Sequence, residues 1–144
     1  MKPLYLKLLL LLLMMTKLHE AQANLPLQRD IVLEEANKSL VIGFHQRLHI
    51  HQDALAAFEI LAPEYKDMTD GKRRSRSAYV KYCQKYLLSN PGYSAEIIHA
   101  ATEGEWVYLY TRSYASKKLI SKLSVEMYRV INGYIVEHKS IAKS

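Results

Sequence analysis

The residues best suited to chemistry lie on two stretches of alternating pattern near the end of the chain. Glu126 and Tyr128 fall on one face of a predicted strand, and His138 and Ser140 fall on one face of the next, because side chains alternate along a strand. A buried histidine within reach of a carboxylate can serve as a general acid–base pair. We therefore take His138 and Glu126 as candidate catalytic residues for proton transfer.

Tyrosines and one arginine extend this candidate site. The stretch Trp106–Tyr114 alternates between two faces, one of which carries Tyr108, Tyr110 and Arg112. Tyrosine hydroxyls can stabilise a developing enolate as oxyanion-type donors. The expected small-molecule pocket has six ligand-binding residues: Tyr65, Tyr108, Tyr110, Arg112, Tyr128 and Ser140. In the alternative, Arg112 and Glu126 form a cross-strand ion pair and the tyrosines only pack the sheet.

A second candidate site is a group of histidines, His45, His49 and His51. The spacing of His45 and His49 places them one helical turn apart, which can chelate a metal. No acidic residue follows at a persuasive spacing, so we interpret the group as a solvated helix end. We predict no metal and no cofactor.

A basic run and a single cysteine complete the candidates. The run 72–76, KRRSR, is of a kind that can bind nucleic acid or anionic lipid, but it fits a solvated helix start as well. Cys83 is the only cysteine, which excludes an intramolecular disulfide. It lies on the apolar side of a predicted helix, so we read it as a small buried hydrophobe.

The element that positions the acid–base pair is a hairpin centred on Asn132-Gly133. This dipeptide between two apolar alternating runs predicts a type I′ turn, which needs positive φ at both central residues. The flanking strands are 119–131 and 134 to about 142. Two further strands are predicted at 93–102 and 106–114.

Upstream of these strands the periodicity is helical. Apolar residues recur at spacings of three and four over 29–49, 54–61 and 72–88, which predicts three amphipathic helices. Ala62-Pro63 ends the second helix, and 66–70 is predicted to be irregular. Three helices followed by antiparallel strands indicate an α+β fold with the helices on one face of the sheet.

The first 23 residues carry a different signal. Lys2 and Lys7 precede the short apolar run 8–15, and Ala21-Gln22-Ala23 is a typical cleavage site, so 1–23 is predicted to be a secretory signal peptide. The remaining 24–144 would form one domain of 121 residues with a net charge of +4. We expect an exported protein, periplasmic or secreted, that keeps no stable membrane anchor and has no nucleic-acid partner.

Several blocks in consistent order resemble the SnoaL-like family of the nuclear-transport-factor-2-like superfamily. They are NKSLV at 37–41, LAPEY at 61–65, DGK at 70–72, EGE at 103–105 and YRVINGYIVEH at 128–138. The resemblance implies a cone-shaped fold, with three N-terminal helices packed on a curved antiparallel sheet around an apolar pocket. It also implies a possible homodimer.

The closing strand departs from the family's pattern. Where the family reads Glu-His-Trp-Asp, this chain has Glu137, His138, Lys139 and Ser140, so Ser140 stands at the position of the family's presumed catalytic aspartate. A serine hydroxyl is not a useful base near neutral pH without a partner. The leading hypothesis is therefore binding of a small apolar or aromatic ligand, anionic at one end if it meets Arg112. The alternatives are an isomerase, cyclase or lyase that uses His138 and Glu126, and a dimeric interaction module with a filled pocket.

Overall fold

The computed structural model describes residues 29–115 and 118–142, so the predicted signal peptide lies outside the described residues. Three helices and six strands follow in the order α1 (Ile31–His49), α2 (Ala56–Ile60), β1 (Leu61–Asp67), β2 (Arg74–Ser75), α3 (Arg76–Ser89), β3 (Ser94–Glu103), β4 (Trp106–Ala115), β5 (Lys118–Ile131) and β6 (Tyr134–Ala142). None of these helices is both long and apolar enough to cross a bilayer.

The strands form one curved six-stranded sheet in the order β2-β1-β6-β5-β4-β3. Strands β3 to β6 form antiparallel pairs in sequence order, whereas β1 lies parallel to β6. The predicted turn at the β5–β6 connection is confirmed, because Asn132 and Gly133 have φ angles of 51° and 78°. The fold is α+β, as predicted.

The order of elements differs from three helices followed by strands. The segment expected to end a helix and continue irregularly is strand β1, and β2 precedes the third helix. Pro63 suggested a break, but it lies where the β1–β6 register is irregular, between Leu61 and Lys66, and a strand tolerates a proline at such an irregularity. The third helix begins at Arg76, later than predicted, with the Ser75 hydroxyl accepting a hydrogen bond from the Ala78 amide at 3.5 Å.

The core lies between the helices and one face of the sheet. Helix α1 buries Val41, Phe44 and Leu48, α3 buries Tyr79, Val80, Cys83 and Leu87, and the sheet contributes Val107, Leu109, Tyr128, Val130 and Ile135. Cys83 is buried as predicted. Polar contacts fix α1 at its start: the buried Glu34 carboxylate accepts a hydrogen bond from the Gly104 amide at 2.9 Å, and Asn37 donates to the Gly104 carbonyl at 3.2 Å.

Candidate functional site

Helices α1 and α3 and the inner face of the sheet border a partly open cavity of about 240 Å³. One wall is aromatic and apolar, and the other carries hydroxyl groups. The helical and loop wall includes Leu48, Tyr79, Tyr82, Tyr86, Leu87 and Tyr93, and the sheet wall includes Thr111, Ser113, Ser124, Glu126, His138 and Ser140. The structure thus combines an apolar surface with a row of hydrogen-bonding groups.

At the sheet wall, His138 lies between two carboxylates. Its Nε2 is 2.9 Å from Glu126 Oε2, and its Nδ1 is 3.0 Å from Asp67 Oδ1. His138 and Asp67 are both buried, with side-chain exposures of 7% and 0%. The sequence-based prediction that His138 and Glu126 lie within reach of each other therefore holds in the structure, and Asp67 is an additional member of the group.

Sheet register explains how three strands meet at this point. His138 is paired with Asp67 across the parallel β1–β6 ladder, and Ser140 is paired with Glu126 across β5–β6. Glu126 is therefore the diagonal neighbour of His138, a separation that a glutamate side chain can bridge. Strand β6 lies between β1 and β5, so one neighbouring strand supplies Asp67 and the other supplies Glu126.

The Glu126 carboxylate has two further partners, both of them serine hydroxyls. Glu126 Oε1 accepts hydrogen bonds from Ser124 at 2.7 Å and Ser140 at 2.9 Å. Thr111 Oγ1 is 2.9 Å from Ser124 Oγ, which extends the row of hydroxyls to β4.

Asp67 is held by the segment that follows its own strand. Its Oδ1 accepts from Thr69 Oγ1 at 2.7 Å, and its Oδ2 accepts from Arg74 Nη1 at 2.6 Å. The Met68 amide donates to the His138 carbonyl at 2.8 Å, so the backbone joins the same two strands. Arg74 belongs to the basic run that we expected to be solvated, but its side chain is only 13% exposed.

The electrostatics describe a buried ion cluster. Burial by itself would lower the pKa of His138, but hydrogen bonds to Asp67 and Glu126 outweigh it and raise the pKa above its usual value. Burial would likewise raise the pKa of both carboxyls, yet hydrogen bonds lower it, with His138 the largest contributor. His138 is therefore favoured as an imidazolium, and Asp67 and Glu126 as carboxylates.

Aromatic rings enclose the imidazole. The Tyr128 ring stacks on His138 at 4.5 Å between centroids, and Tyr79 meets it edge-on at 5.9 Å. Tyr65 packs against Tyr79 at 5.4 Å. Tyr65 and Tyr128 were predicted to bind ligand directly, but both are buried beneath the cavity surface and are not among its described lining residues.

The predicted face of β4 requires a correction. Tyr108, Tyr110 and Arg112 do not line the cavity, whereas Thr111 and Ser113 of the opposite face do. Register decides this, because Leu109 is paired with Glu126 and Thr111 with Ser124, both of which face inward. Arg112 makes an ion pair with Glu96 at 3.2 Å and not with Glu126, so neither the pocket role nor the alternative cross-strand pair describes it.

The histidines of α1 also differ from expectation. His45 is buried and His49 is half-buried, and both line the cavity, whereas His51 is exposed. Burial lowers the pKa of His45 to about 4 and that of His49 to about 3. The helical stripe that includes Val41, Phe44 and Leu48 contains His45 at the same spacing, which was the available signal for its burial.

Solved structures share this architecture. An NTF2-like protein of unknown function from Mesorhizobium loti is 22% identical, with 77% of this chain and 93% of that chain covered at a TM-score of 0.68. A protein from Jannaschia sp. CCS1 assigned as a SnoaL-like polyketide cyclase is 12% identical, with 77% and 88% covered at a TM-score of 0.65. The chain has the SnoaL-like, nuclear-transport-factor-2-like fold.

Solved proteins of this fold have been assigned different activities. One from Kribbella flavida assigned as a ketosteroid isomerase is 14% identical to this chain, with 77% of this chain and 80% of that chain covered at a TM-score of 0.67. No protein-family model and no curated protein matches the sequence. At these identities the structural likeness establishes the fold, and the activity has to be argued from the site.

Proposed function

We propose that the chain binds a small, ring-shaped apolar or aromatic ligand in the cavity between the helices and the sheet. The observation that carries this proposal is the opposition of an aromatic wall, with Tyr82, Tyr86 and Tyr93, to a hydroxyl-bearing wall. Small-molecule sites typically combine apolar surface with a few polar groups that fix orientation. A volume of about 240 Å³ favours a ligand of one or two rings, since sites for drug-sized molecules span roughly 300–1,000 Å³. Arg112 lies on the outer face of the sheet, so the expectation that the ligand carries an anionic group that meets Arg112 is not supported.

Binding is favoured over catalysis because the acid–base pair is stabilised in its charged form. A good general base has a pKa near the operating pH. Glu126 has a lowered pKa and three hydrogen-bond donors, which makes it a weak base, and the raised pKa of His138 makes its imidazolium a weak acid. The cluster is better suited to orienting a ligand than to exchanging a proton with it.

Two neighbouring residues on opposite faces of β4 provide a matched test. We expect Ser113→Phe to fill the cavity and Arg112→Phe to leave it open, since only Ser113 lines it. Amide chemical shifts would be recorded while p-cresol is added to the wild type and both variants. Shifts confined to cavity residues, present in Arg112→Phe and absent in Ser113→Phe, would support the proposal. No saturable shift in the wild type, or equal shifts in all three proteins, would contradict it.

A proton-transfer enzyme of the isomerase, cyclase or lyase type is the second candidate. It is supported by the 2.9 Å hydrogen bond from Ser140 to Glu126, which supplies a carboxylate beside the serine that we assign to the family's aspartate position. In that case Glu126 would remove a proton from the substrate, and His138 would hold the Glu126 carboxylate in position through their hydrogen bond. The test is exchange of the α-protons of 2-indanone with deuterated solvent. Catalysed exchange that disappears in Glu126→Gln would establish this function, and exchange at the uncatalysed rate would exclude this ketone as a substrate.

Export and assembly are further proposals. The signature of residues 1–23 supports export and release of 24–144. Exposed tyrosines on the outer sheet face, Tyr110 and Tyr114, support a homodimer through that face. Export is tested by mass spectrometry of the exported form, whose mass should be lower by that of residues 1–23. The homodimer is tested by light scattering of the purified protein. An interaction module with a filled pocket is less favoured, because the tyrosines leave a cavity.

A further inference from the structure

Two histidines of α1 form a pair at the cavity that the acid–base cluster does not use. His45 and His49 lie one helical turn apart with ring centroids 4.5 Å from each other, and both line the cavity. His45 is only 1% exposed, so its ring belongs to the interior of the protein. The pair is thus a built polar surface on the otherwise apolar helical wall.

Neither ring has a hydrogen-bond partner among the described residues. The Nδ1 atoms of both histidines are buried without a partner, and no other hydrogen bond involves either ring. A neutral imidazole offers one donor and one acceptor. The buried Nδ1 atoms are closed off from the cavity, so the nitrogen that each ring can offer to a bound molecule is Nε2, which has no partner among the described residues either. A molecule that fills the cavity gains affinity by pairing with this nitrogen.

Burial keeps the two imidazoles neutral. Burial lowers the pKa of both rings far below neutrality, as described above. The charged groups acting on the pair are Glu126 of β5 and His138 of β6, and they form an ion pair with each other; Tyr93 packs edge-on against His49 at 5.7 Å. Lys122 lines the cavity but is exposed. A ligand carboxylate would therefore meet no unpaired buried cation and would lie near Glu126.

The geometry points to His45 and His49 as a specificity-determining subsite that hydrogen-bonds an uncharged hydroxyl group of the ligand. The subsite rests on the proposed binding function and narrows its ligand class to neutral hydroxylated rings. The aromatic side chains hold the ring, and the imidazole pair selects a hydroxyl over an ether or a carboxylate at the same position. This discrimination follows because an ether has no donor and a carboxylate is charged.

Three probes with the same ring and methyl group separate these possibilities: p-cresol, 4-methylanisole and p-toluate. At pH 7.5 we expect p-cresol to bind about tenfold tighter than either of the others, the effect of one hydrogen bond gained or lost. His49→Leu should remove this preference by weakening p-cresol about tenfold. His49→Gln, which keeps an acceptor and a donor, should retain most of it. His51→Leu is the matched control because His51 is exposed on the same segment.

The dissociation constants would be measured by amide shifts, and the imidazole nitrogen shifts of His45 and His49 would be followed in the same titration. A change in these nitrogen shifts with p-cresol and not with 4-methylanisole supports the subsite. Equal affinity for p-cresol and 4-methylanisole, unchanged by His49→Leu, would overturn the subsite and leave the binding function intact. Tighter binding of p-toluate would also overturn it. Binding of none of the probes would overturn both the subsite and the proposed function.

Discussion

Replacement of His138 by glutamine should destabilise the fold strongly, because the imidazolium separates two buried carboxylates. Its side chain lies 2.9 Å from Glu126 and 3.0 Å from Asp67, whose side chains are 14% and 0% exposed. Removing one partner of a buried ion pair typically costs about 3–5 kcal/mol, since the remaining charge is left uncompensated. Asp67 keeps its ion pair with Arg74, so we expect a loss in the free energy of unfolding of about 3 kcal/mol at pH 6.5, the lower end of that range.

The cost should depend on pH with a defined sign. Because the pKa of His138 is raised in the folded state, its stabilising contribution is fully present below about pH 6.5, the unfolded value, and is lost as the pH rises through the folded pKa. One proton gives a slope of about 1.4 kcal/mol per pH unit in that window. The difference between wild type and His138→Gln should therefore shrink as the pH is raised above 6.5.

Urea unfolding of the purified protein at pH 6.5 and at higher pH values measures both quantities. The double variant His138→Gln with Glu126→Gln should recover part of the loss, because two facing amides carry no unpaired charge. His99→Gln, on an exposed position of β3, is the control and should change stability by less than about 0.5 kcal/mol. A loss below about 1 kcal/mol for His138→Gln, or strictly additive effects in the double variant, would refute the ion-cluster interpretation.

Three further changes test other parts of the structure. His45→Leu should reduce the loss of stability on acidification. Because the folded pKa of His45 is about 4, the stability that comes from keeping its imidazole neutral is lost in the wild type as the pH falls from about 6.5 towards 4. Urea unfolding of both proteins at pH 5 measures the difference. Gly133→Ala should cost about 1–2 kcal/mol in the same assay, through its φ of 78° and not through a clash, since no atom lies within 4 Å of the added Cβ. Arg74→Gln should raise the pKa of Asp67, measured by carbon NMR of the carboxyl group, because it removes the 2.6 Å ion pair.

Local signals predicted the elements that depend on local chemistry. The hairpin turn at Asn132-Gly133 is confirmed because positive φ is a property of those two residues. The long helix α1 and strands β3 to β6 followed from periodicity. Strand β1 was missed, because its pairing with β6 joins residues about 70 positions apart and Pro63 dominates the local pattern. Asp67 was missed with it, since its role exists only through that pairing.

Alternation revealed the two faces of β4 but not which of them faces the helices. The aromatic and charged face, with Tyr108, Tyr110 and Arg112, was the better candidate by chemistry. The structure places the smaller side chains Thr111 and Ser113 inward, where they leave space for a cavity. Large rings at those positions would fill it. A cavity therefore favours small side chains on its own wall, which is a weak signal in a sequence.

The charged cluster and the sheet register specify each other. A shift of one residue in the pairing of β6 with β1 would turn His138 or Asp67 to the other face, because strand side chains alternate. The displaced partner would leave a buried charge without compensation, at a cost of about 3–5 kcal/mol. The same argument holds for β5, where the pairing of Ser140 with Glu126 places a hydroxyl beside the carboxylate. The residues that could act on a ligand thus also favour the observed register over a one-residue shift, so variants at His138 should be judged by stability before activity.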